Sequence, residues 1–542
     1  MNTTTDIQPT LDGLIAGLKH PQAYPHSIES PVLVHETHLS VVLLAGEFAY
    51  KIKKPIQTDF LDYSTLALRR HFCEEELRLD RRFAKGLYIG VVPITLSGDR
   101  PTIEGKGDVI EYAVKMHRFS SSALLSERVQ AGQLTTKEVV QLASTIAGFH
   151  HDAAVCRDRI AEQWPEFLQA NIPQTIEQVL TTADASTAAT CEVLRDWTTE
   201  FQAQHQRLLA DRIAAGFIRE CHGDLHSANV VCWQGQLVPF DGIEFNDHLR
   251  WIDVLSDAAF LAMDLAARDH LDLSRTFLNA YLECTGDYQS LELLRLFLVY
   301  RALVRALAAS MRKDAEDARH HVDLAYRFTL RETPRLWITH GVSGSGKTTL
   351  SEAVVQRHNA FRLRSDVERK RMFGQSARQR LNADNLGFES TGQPDPGQPD
   401  TGPPHTGPPN PASQDTATPN RETLYSPEAN EQTYQRLSQL ARRILASGHS
   451  VIVDATFLRR ADRQRFYELA EQAGVPIAIL DCHSDLQTLR QRVADRMAHR
   501  HDASDADLDV LDRQLAHREP LTDAERTLVV EIPDLAQVAE SL

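Results

Sequence analysis

Eight consecutive residues, Gly341-Val342-Ser343-Gly344-Ser345-Gly346-Lys347-Thr348, set glycines, a lysine and a hydroxyl in a Gly-x-x-x-x-Gly-Lys-Thr spacing. That spacing suits a polyphosphate. The glycines let successive backbone N–H groups converge on phosphate oxygens, and a following helix adds the positive end of its dipole. Lys347 would reach the β- and γ-phosphates, and the Thr348 hydroxyl would help hold Mg²⁺. Ser343, Gly344, Ser345, Gly346 and Thr349 complete the candidate nucleotide-binding set. Asp454 ends the apolar run Val451-Ile452-Val453, where a Walker B carboxylate would ligate the metal. Taken alone, Asp454 reads as a strand-end turn residue, and the glycine loop upstream is what favours the metal.

The loop needs a strand before it and a helix after it. Leu336-Trp337-Ile338-Thr339 supplies the first, and the run from Thr349 to Gln356 the second. Four more strand candidates follow, at 361–363, 450–453, 477–480 and 528–532, with helical segments between them. The alternation predicts an α/β domain with a parallel sheet covered on both faces.

A second group lies far upstream. His222-Gly223-Asp224-Leu225-His226-Ser227-Ala228-Asn229 precedes a short strand and then Val238-Pro239-Phe240-Asp241. Before it, 39–44 and 48–52 read as a hairpin around Ala45-Gly46-Glu47, 65–84 as a helix, and 109–116 as a strand. Thr135-Thr136-Lys137-Glu138 is a capping box opening a helix to His151, and a helical pair spans 291–330. The string from His222 to Asp241 resembles the catalytic loop and metal-binding aspartate of the aminoglycoside phosphotransferase family, a relative of the protein kinases, over roughly residues 30–330. The resemblance implies an N-terminal α+β, protein-kinase-like fold.

On that resemblance, Asp224 would orient or deprotonate an acceptor hydroxyl, and Asn229 and Asp241 would bind Mg²⁺ on the ATP phosphates. Lys51, in Ala49-Tyr50-Lys51, matches the lysine that contacts the α- and β-phosphates, with Lys53 as a rival. Its ion-pair partner would come from the run Glu74-Glu75-Glu76, and Glu75 is the residue favoured. His222 would hold the loop backbone, with Asp253 and Asp257 as buttresses, and 116–119 would form the hinge against adenine. One feature departs from the protein-kinase pattern: the stretch from Glu36 to Gly46 contains no Gly-x-Gly-x-x-Gly.

In the C-terminal half, Arg364-Ser365-Asp366-Val367-Glu368-Arg369-Lys370 resembles the substrate loop of small P-loop kinases of the 5′-polynucleotide kinase, zeta-toxin and gluconate kinase group. By that resemblance Asp366 is the acceptor-side base and Arg369 an anion-binding fork. Arg492, Arg496 and Arg500, spaced four apart on a predicted helix, look like the arginine-bearing lid of the same group. Without that context such a stripe is a solvated helix face.

Length and composition set bounds. A chain of 542 residues should hold roughly two to four cores. A boundary is expected at Arg331-Glu332-Thr333-Pro334, giving domains 1–331 and 332–542. A net charge of −16 argues against broad, nonspecific binding to nucleic acid or anionic membrane. Seven scattered cysteines, with no Cys-x-x-Cys pair, suggest neither disulfides nor zinc and fit a reducing cytoplasm. The N-terminus lacks a basic segment followed by an apolar one, so no signal peptide is expected. Residues 387–422, with Gly392, Gly397, Gly402 and Gly407 amid Pro, Gln, Asp and Thr, cannot bury a core and are expected to be a disordered insertion.

The sequence therefore predicts a fusion of two kinase-type domains, each using ATP and Mg²⁺ and transferring the γ-phosphate to a hydroxyl. It looks like bacterial proteins in which an aminoglycoside phosphotransferase is joined to an ATP-binding protein. A nucleotide-sensing regulator, in which one domain controls the other, is a second expectation. A kinase of 5′-OH nucleic acid in the C-terminal domain is a third.

Overall fold

The computed structural model describes residues 10–29, 31–58, 61–98, 100–374, 426–499 and 507–530. The insertion expected at 387–422 lies outside the described residues. Backbone contacts divide the chain into two compact units, Met1–Arg331 and Glu332–Ser541.

The first unit opens with an antiparallel sheet. Its strands are β1 (Leu33–Glu36), β2 (Ser40–Ala45), β3 (Phe48–Lys53), β6 (Tyr88–Ser97), β7 (Arg100–Ile103) and β8 (Asp108–His117), in the order β1-β2-β3-β8-β6-β7. A small ribbon, β4 (Gln57–Thr58) and β5 (Leu61–Asp62), follows β3. In β3, Ala49, Tyr50 and Ile52 are buried, while Lys51 is only part-buried. The β2–β3 turn matches the expected hairpin, and its Ala45↔Phe48 pairing leaves two residues for the turn.

The helix Leu66–Asp80 packs on this sheet, capped by the Thr65 side chain at the Leu68 N–H. Its buried stripe is Arg69, Cys73, Glu76, Leu79 and Asp80. Three acidic or basic groups on a buried face are costly unless paired. Arg69 pairs with Glu111 at 2.8 Å, and the others serve the site described below.

The rest of the unit is mostly helical. Two short antiparallel pairs interrupt it: β9 (Ile218–Glu220) with β12 (Trp251–Asp253), and β10 (Val230–Trp233) with β11 (Gln236–Pro239). The helix Thr136–Asp152 opens on the expected capping box, both of whose bonds are present. The helix Val254–Ala267 is buried on nearly every face, so it forms the centre of this core. The helix Leu291–Met311 packs beside it, and Ala315–Thr329 completes the pair expected from the sequence. The unit is α+β, an antiparallel sheet followed by a mostly helical part.

The second unit is α/β. Strands β13 (Leu336–His340), β14 (Ala360–Arg364), β15 (Ser450–Asp454) and β16 (Ile477–Asp481) form a parallel sheet in the order β14-β15-β13-β16. Strands β13 and β15 are buried at every position, which is why they read as continuous apolar runs rather than alternating ones. Five strands were expected. Around 528–532 the described residues hold one isolated bridge, Ile479↔Val529, and no strand. The helix Pro427–Ala446 begins on the Ser426 cap, as the Ser-Pro-Glu signal indicates.

Candidate functional site

In the first unit, three elements bring one set of charges together. Lys51 Nζ lies 3.0 Å from Glu76 Oε1 and also pairs with Asp241 Oδ1. Glu76 is the partner in the helix, and the expectation of Glu75 is corrected. Glu75 points to the other side of its helix turn and pairs with Arg78 at 2.8 Å. Glu76 falls on the stripe of Cys73 and Asp80, spaced three and four residues apart, and that stripe faces the sheet. The rival Lys53 is fully enclosed: it pairs with Glu76 Oε2 at 2.7 Å and with Glu244. Tyr63 Oη also donates to Glu244. Burial raises the Glu76 carboxyl, but the Lys51 and Lys53 charges outweigh it and draw it down to about 2. Burial opposes the charge on Lys51, yet Asp241 and Glu76 hold its ammonium well above the ordinary lysine value.

Asp241 sits at φ 63°, a left-handed conformation rare outside glycine. Its own N–H donates to Tyr88 Oη at 3.1 Å, and the next N–H, of Gly242, donates to Asp80 Oδ1 at 2.9 Å. The Asp241 side chain is 41% exposed, unlike its neighbours. One face of that carboxylate is thus held by Lys51 while the other is open to solvent.

The loop from His222 to Asn229 is held from below. Asp257 accepts the N–H groups of His222 at 3.0 Å and of Gly223 at 2.9 Å, and His150 Nε2 braces Asp257 at 3.0 Å. Gly223 has φ 86°, and a Cβ there would lie 2.7 Å from the Leu249 carbonyl oxygen, so only glycine fits. Asp253 pairs with Arg212 and caps the next helix through the Leu255 N–H. The Asp224 N–H donates to His222 Nδ1 at 3.3 Å, so the ring proton is on Nε2 and is donated to the Phe240 carbonyl at 2.9 Å. Both ring nitrogens of His222 are engaged, and it acts on the backbone. His150, Cys221 and Asp257 offer ligand atoms within 4.8 Å of one another, but the two Asp257 oxygens already take backbone N–H groups, and the cluster is a buttress.

Asn229 Nδ2 donates to Asp224 Oδ2 at 2.9 Å and to the Asp224 carbonyl at 3.0 Å. His226 Nδ1 accepts the Ala228 N–H, which leaves Nε2 as a donor to Asp224 Oδ2 at 3.3 Å. Burial raises the Asp224 carboxyl, but His226 and His222 outweigh it and hold it far below the usual carboxylate range. Asp224 Oδ1 has no partner among the described residues. Because Asn229 spends its amide nitrogen on Asp224, its Oδ1 is left to face a metal. An oxygen-only set of Asn229 Oδ1 and the half-exposed Asp241 carboxylate fits a hard divalent cation such as Mg²⁺.

In the second unit, the loop after β13 takes positive φ at Gly341 (153°), Gly344 (83°) and Gly346 (92°). A Cβ at Gly341 would meet the Cys482 carbonyl oxygen and Ser345 Oγ, each at 2.6 Å. Gly346 is the N-cap of the helix Lys347–His358 and supplies no side-chain cap, so the first N–H groups of that helix face outward. Ser345 Oγ is buried without a partner. These open donors fit a polyphosphate. Lys347 Nζ donates to the Val342 carbonyl at 2.8 Å, folded back over the loop. Ser343 N–H donates to Gln514 Oε1 at 2.8 Å, and Thr349 is exposed. Ser351 Oγ lies 2.9 Å from the Thr348 carbonyl and 3.2 Å from Asp454 Oδ2, and so joins the loop helix to the end of β15.

Asp366 lies in the first turn of the helix Ser365–Met372 after β14, and Arg369, one turn on, pairs with it at 3.2 Å. Arg369 also reaches Thr433 at 3.3 Å and Asn430 at 3.2 Å on the helix Pro427–Ala446. Loop, Asp366 and Asp454 all lie at the carboxyl ends of parallel strands, where open α/β sheets bind ligands. Of the three arginines expected in a lid, Arg492 donates to the Gly344 carbonyl at 3.2 Å. Arg500 lies outside the described residues, as does the side chain of Arg496.

Sequence reasoning missed Asp80, Tyr88, Glu244, Ser351, Asn430, Thr433 and Gln514. Two of these carried a signal: Asp80 continues the helix stripe of Glu76, and Ser351 lies one turn beyond Lys347. Tyr88, Asn430, Thr433 and Gln514 come from remote segments, and Glu244, close to Asp241 in the chain, has its partners Lys53 and Tyr63 in one.

The glycine loop at the head of a parallel α/β sheet makes the second unit a P-loop, nucleotide-binding domain. Residues 336–521 match the family model of an AAA domain. An uncharacterized protein of Mycobacterium tuberculosis (strain ATCC 25618 / H37Rv) is 29% identical over 510 residues, covering 92% of this chain and 91% of that one. An uncharacterized protein of Mycobacterium bovis matches to the same extent, 29% over 510 residues. Among solved structures, a glucosamine kinase is 12% identical with a TM-score of 0.36, over 58% of this chain and 83% of that one. The GDP complex of wild-type aminoglycoside 2'-phosphotransferase-IIIa is 14% identical with a TM-score of 0.34, over 56% and 93%. Among the described residues no helix is long and apolar enough to cross a membrane.

Proposed function

We propose that the chain is a bifunctional ATP-dependent phosphotransferase, with one hydroxyl-directed kinase site in each unit. The observation that carries the reading is a recurring pair. In the first unit Lys51 pairs with Asp241 while Asn229 holds Asp224, and in the second the loop of Lys347 and Asp366 follow the carboxyl ends of strands of one parallel sheet, so each offers a candidate phosphate-side lysine and a candidate acceptor-side carboxylate. When bound, ATP supplies the phosphoryl group and Mg²⁺ screens its charge.

In the first unit, Asp224 Oδ1 takes the proton of the acceptor hydroxyl as that oxygen forms its bond to the γ-phosphorus and the bond to the β-phosphate oxygen breaks. Asn229 and His226 keep the other carboxylate oxygen fixed, so the acceptor meets one defined geometry. Asn229 Oδ1 and Asp241 would hold the metal. Lys51, braced by Glu76, would turn from Asp241 to the α- and β-phosphates. In the second unit the N–H groups from Gly344 to Thr348 would cradle the phosphates, with Thr348 and Asp454 on the metal side. Asp366 would face the acceptor hydroxyl and Arg369 would orient that carboxylate and meet an anionic substrate.

The test is phosphate transfer from γ-labelled ATP by the full chain and by its Asp224→Ala and Lys347→Ala variants. The acceptors are aminoglycosides, sugars, nucleosides and 5′-OH oligonucleotides. Each variant is expected to lose one set of acceptors and keep the other. Loss of all transfer from either single change contradicts independent sites.

A further inference from the structure

Within electrostatic reach of Asp224 lies a guanidinium that makes no hydrogen bond among the described residues. The helix Leu291–Met311 runs past the catalytic loop, and Arg301 on it donates to the Gly223 carbonyl at 3.0 Å and to the Ser256 carbonyl at 3.1 Å. Arg305 is one helical turn further on the same face. It makes no hydrogen bond or ion pair among the described residues, and its Nε is buried without a partner. A buried guanidinium N–H left unpaired is costly, so such a group is completed by an ordered water, an ion or a ligand.

The carboxylates around it are already committed elsewhere. Asp224 Oδ2 takes Asn229 and His226. Asp264 takes the Ser227 N–H and hydroxyl and pairs with Arg268 at 3.2 Å. The Arg305 charge nonetheless acts on both. At Asp224 burial raises the carboxyl, His226 and His222 pull it down, and Arg305 adds to them. At Asp264 burial is opposed by His226, Arg268, the Ser227 bond and again Arg305. On the helix Ala315–Thr329, His321 also faces Arg305 and is itself held by Asp317, so it offers no negative charge.

We infer that Arg305 is the anion-recognition group of the acceptor site, and that the hydroxyl compound phosphorylated at Asp224 carries a carboxylate or a phosphate. A planar guanidinium matches either group bidentately. A cationic acceptor such as an aminosugar would meet like charge in the same place. The inference rests on the reading that Asp224 faces the acceptor hydroxyl.

The experiment uses the full chain carrying Lys347→Ala, so that transfer reports the first unit alone. Four arms of acceptor are offered with labelled ATP: hydroxy acids such as gluconate, sugar phosphates such as glucose 6-phosphate, neutral sugars such as glucose, and aminosugars such as glucosamine. The favoured acceptor should fall in one of the first two arms, which also separates carboxylate from phosphate. Arg305→Gln should then raise the acceptor KM about 10- to 100-fold, the scale of a lost bond to a charged group. The KM for ATP and the melting temperature should hold, and Arg305→Lys, which keeps the charge but not the fork, should recover only part of the loss. A neutral or cationic favourite, or an acceptor KM indifferent to Arg305→Gln, overturns the inference and leaves the kinase reading intact. Transfer that survives Asp224→Asn, or no transfer in any arm, removes the kinase reading of this site and the inference with it.

Discussion

If both units hold ATP as proposed, they solve one problem by different means. In the second, the phosphate-side groups lie in one unbroken stretch, Gly341–Thr348, and act mainly through backbone N–H groups. In the first, Lys51, Glu76, Asp224 and Asp241 come from a strand, a helix and two loops and act through side chains. A backbone cradle needs glycine where φ is positive and little else. A side-chain site needs supports, and the first unit has them in numbers: Asp80 and Tyr88 under Asp241, Asp257 and His150 under the catalytic loop, and Lys53 with Glu244 beside Glu76. The first site should therefore break at many places far from the chemistry, and the second at few.

The largest expected effects fall on the acceptor-side carboxylates. Asp224→Asn should slow transfer by the first unit by about 10²- to 10⁴-fold, the usual worth of a general base, with Asp366→Asn doing the same in the second. Initial rates in the presence of each unit's acceptor check this. An effect under about tenfold would remove the base role.

Next is the contrast within the glutamate run. Glu76→Ala leaves buried Lys53 and part-buried Lys51 without one of their partners and should cost about 3–5 kcal/mol, while Glu75→Ala breaks a surface pair worth about 0–1 kcal/mol. Denaturant unfolding of the full chain reads both, and equal effects would contradict the placement of Glu76. Gly341→Ala is the matching break in the second unit. Its Cβ would press on the Cys482 carbonyl oxygen, so ATP affinity there should fall while the first unit is untouched.

The smallest effect is on pH. The Glu76 carboxyl, raised by burial but lowered more by the two lysines, and the Glu525 carboxyl, likewise pulled down against burial by Arg463, are each drawn from 4.5 to about 2. Between those values the unfolded chain binds more protons than the folded one, so stability is fully present above about pH 4.5 and drains away as pH falls toward 2. Both units should share this acid slope. Glu76→Gln should flatten it for the first unit alone, as followed by thermal unfolding between pH 5 and 3.

Much of this was legible in the sequence. Gly341–Thr348 carries its own strand and helix, and the string from His222 to Asn229 fixes the second centre, because both are local in the chain. The helix from Leu66 was legible as a helix, but its rotation was not. Choosing among Glu74, Glu75 and Glu76 needed the buried stripe of Arg69, Cys73 and Asp80, whose polar members masked it. Glu244, only three residues after Asp241, was overlooked because its partners Lys53 and Tyr63 lie some 180 residues upstream. Gln514, on the N–H of Ser343, and Arg305, whose charge acts on Asp224, are likewise placed by tertiary packing and have no local signal.

Independence of the two sites is the central claim, and the phosphate-transfer screen of the full chain with Asp224→Ala, Lys347→Ala and the double variant tests it most directly. The account predicts that each single variant retains the other unit's transfer at its full rate and that only the double variant is silent. Loss of both activities in either single variant would contradict it.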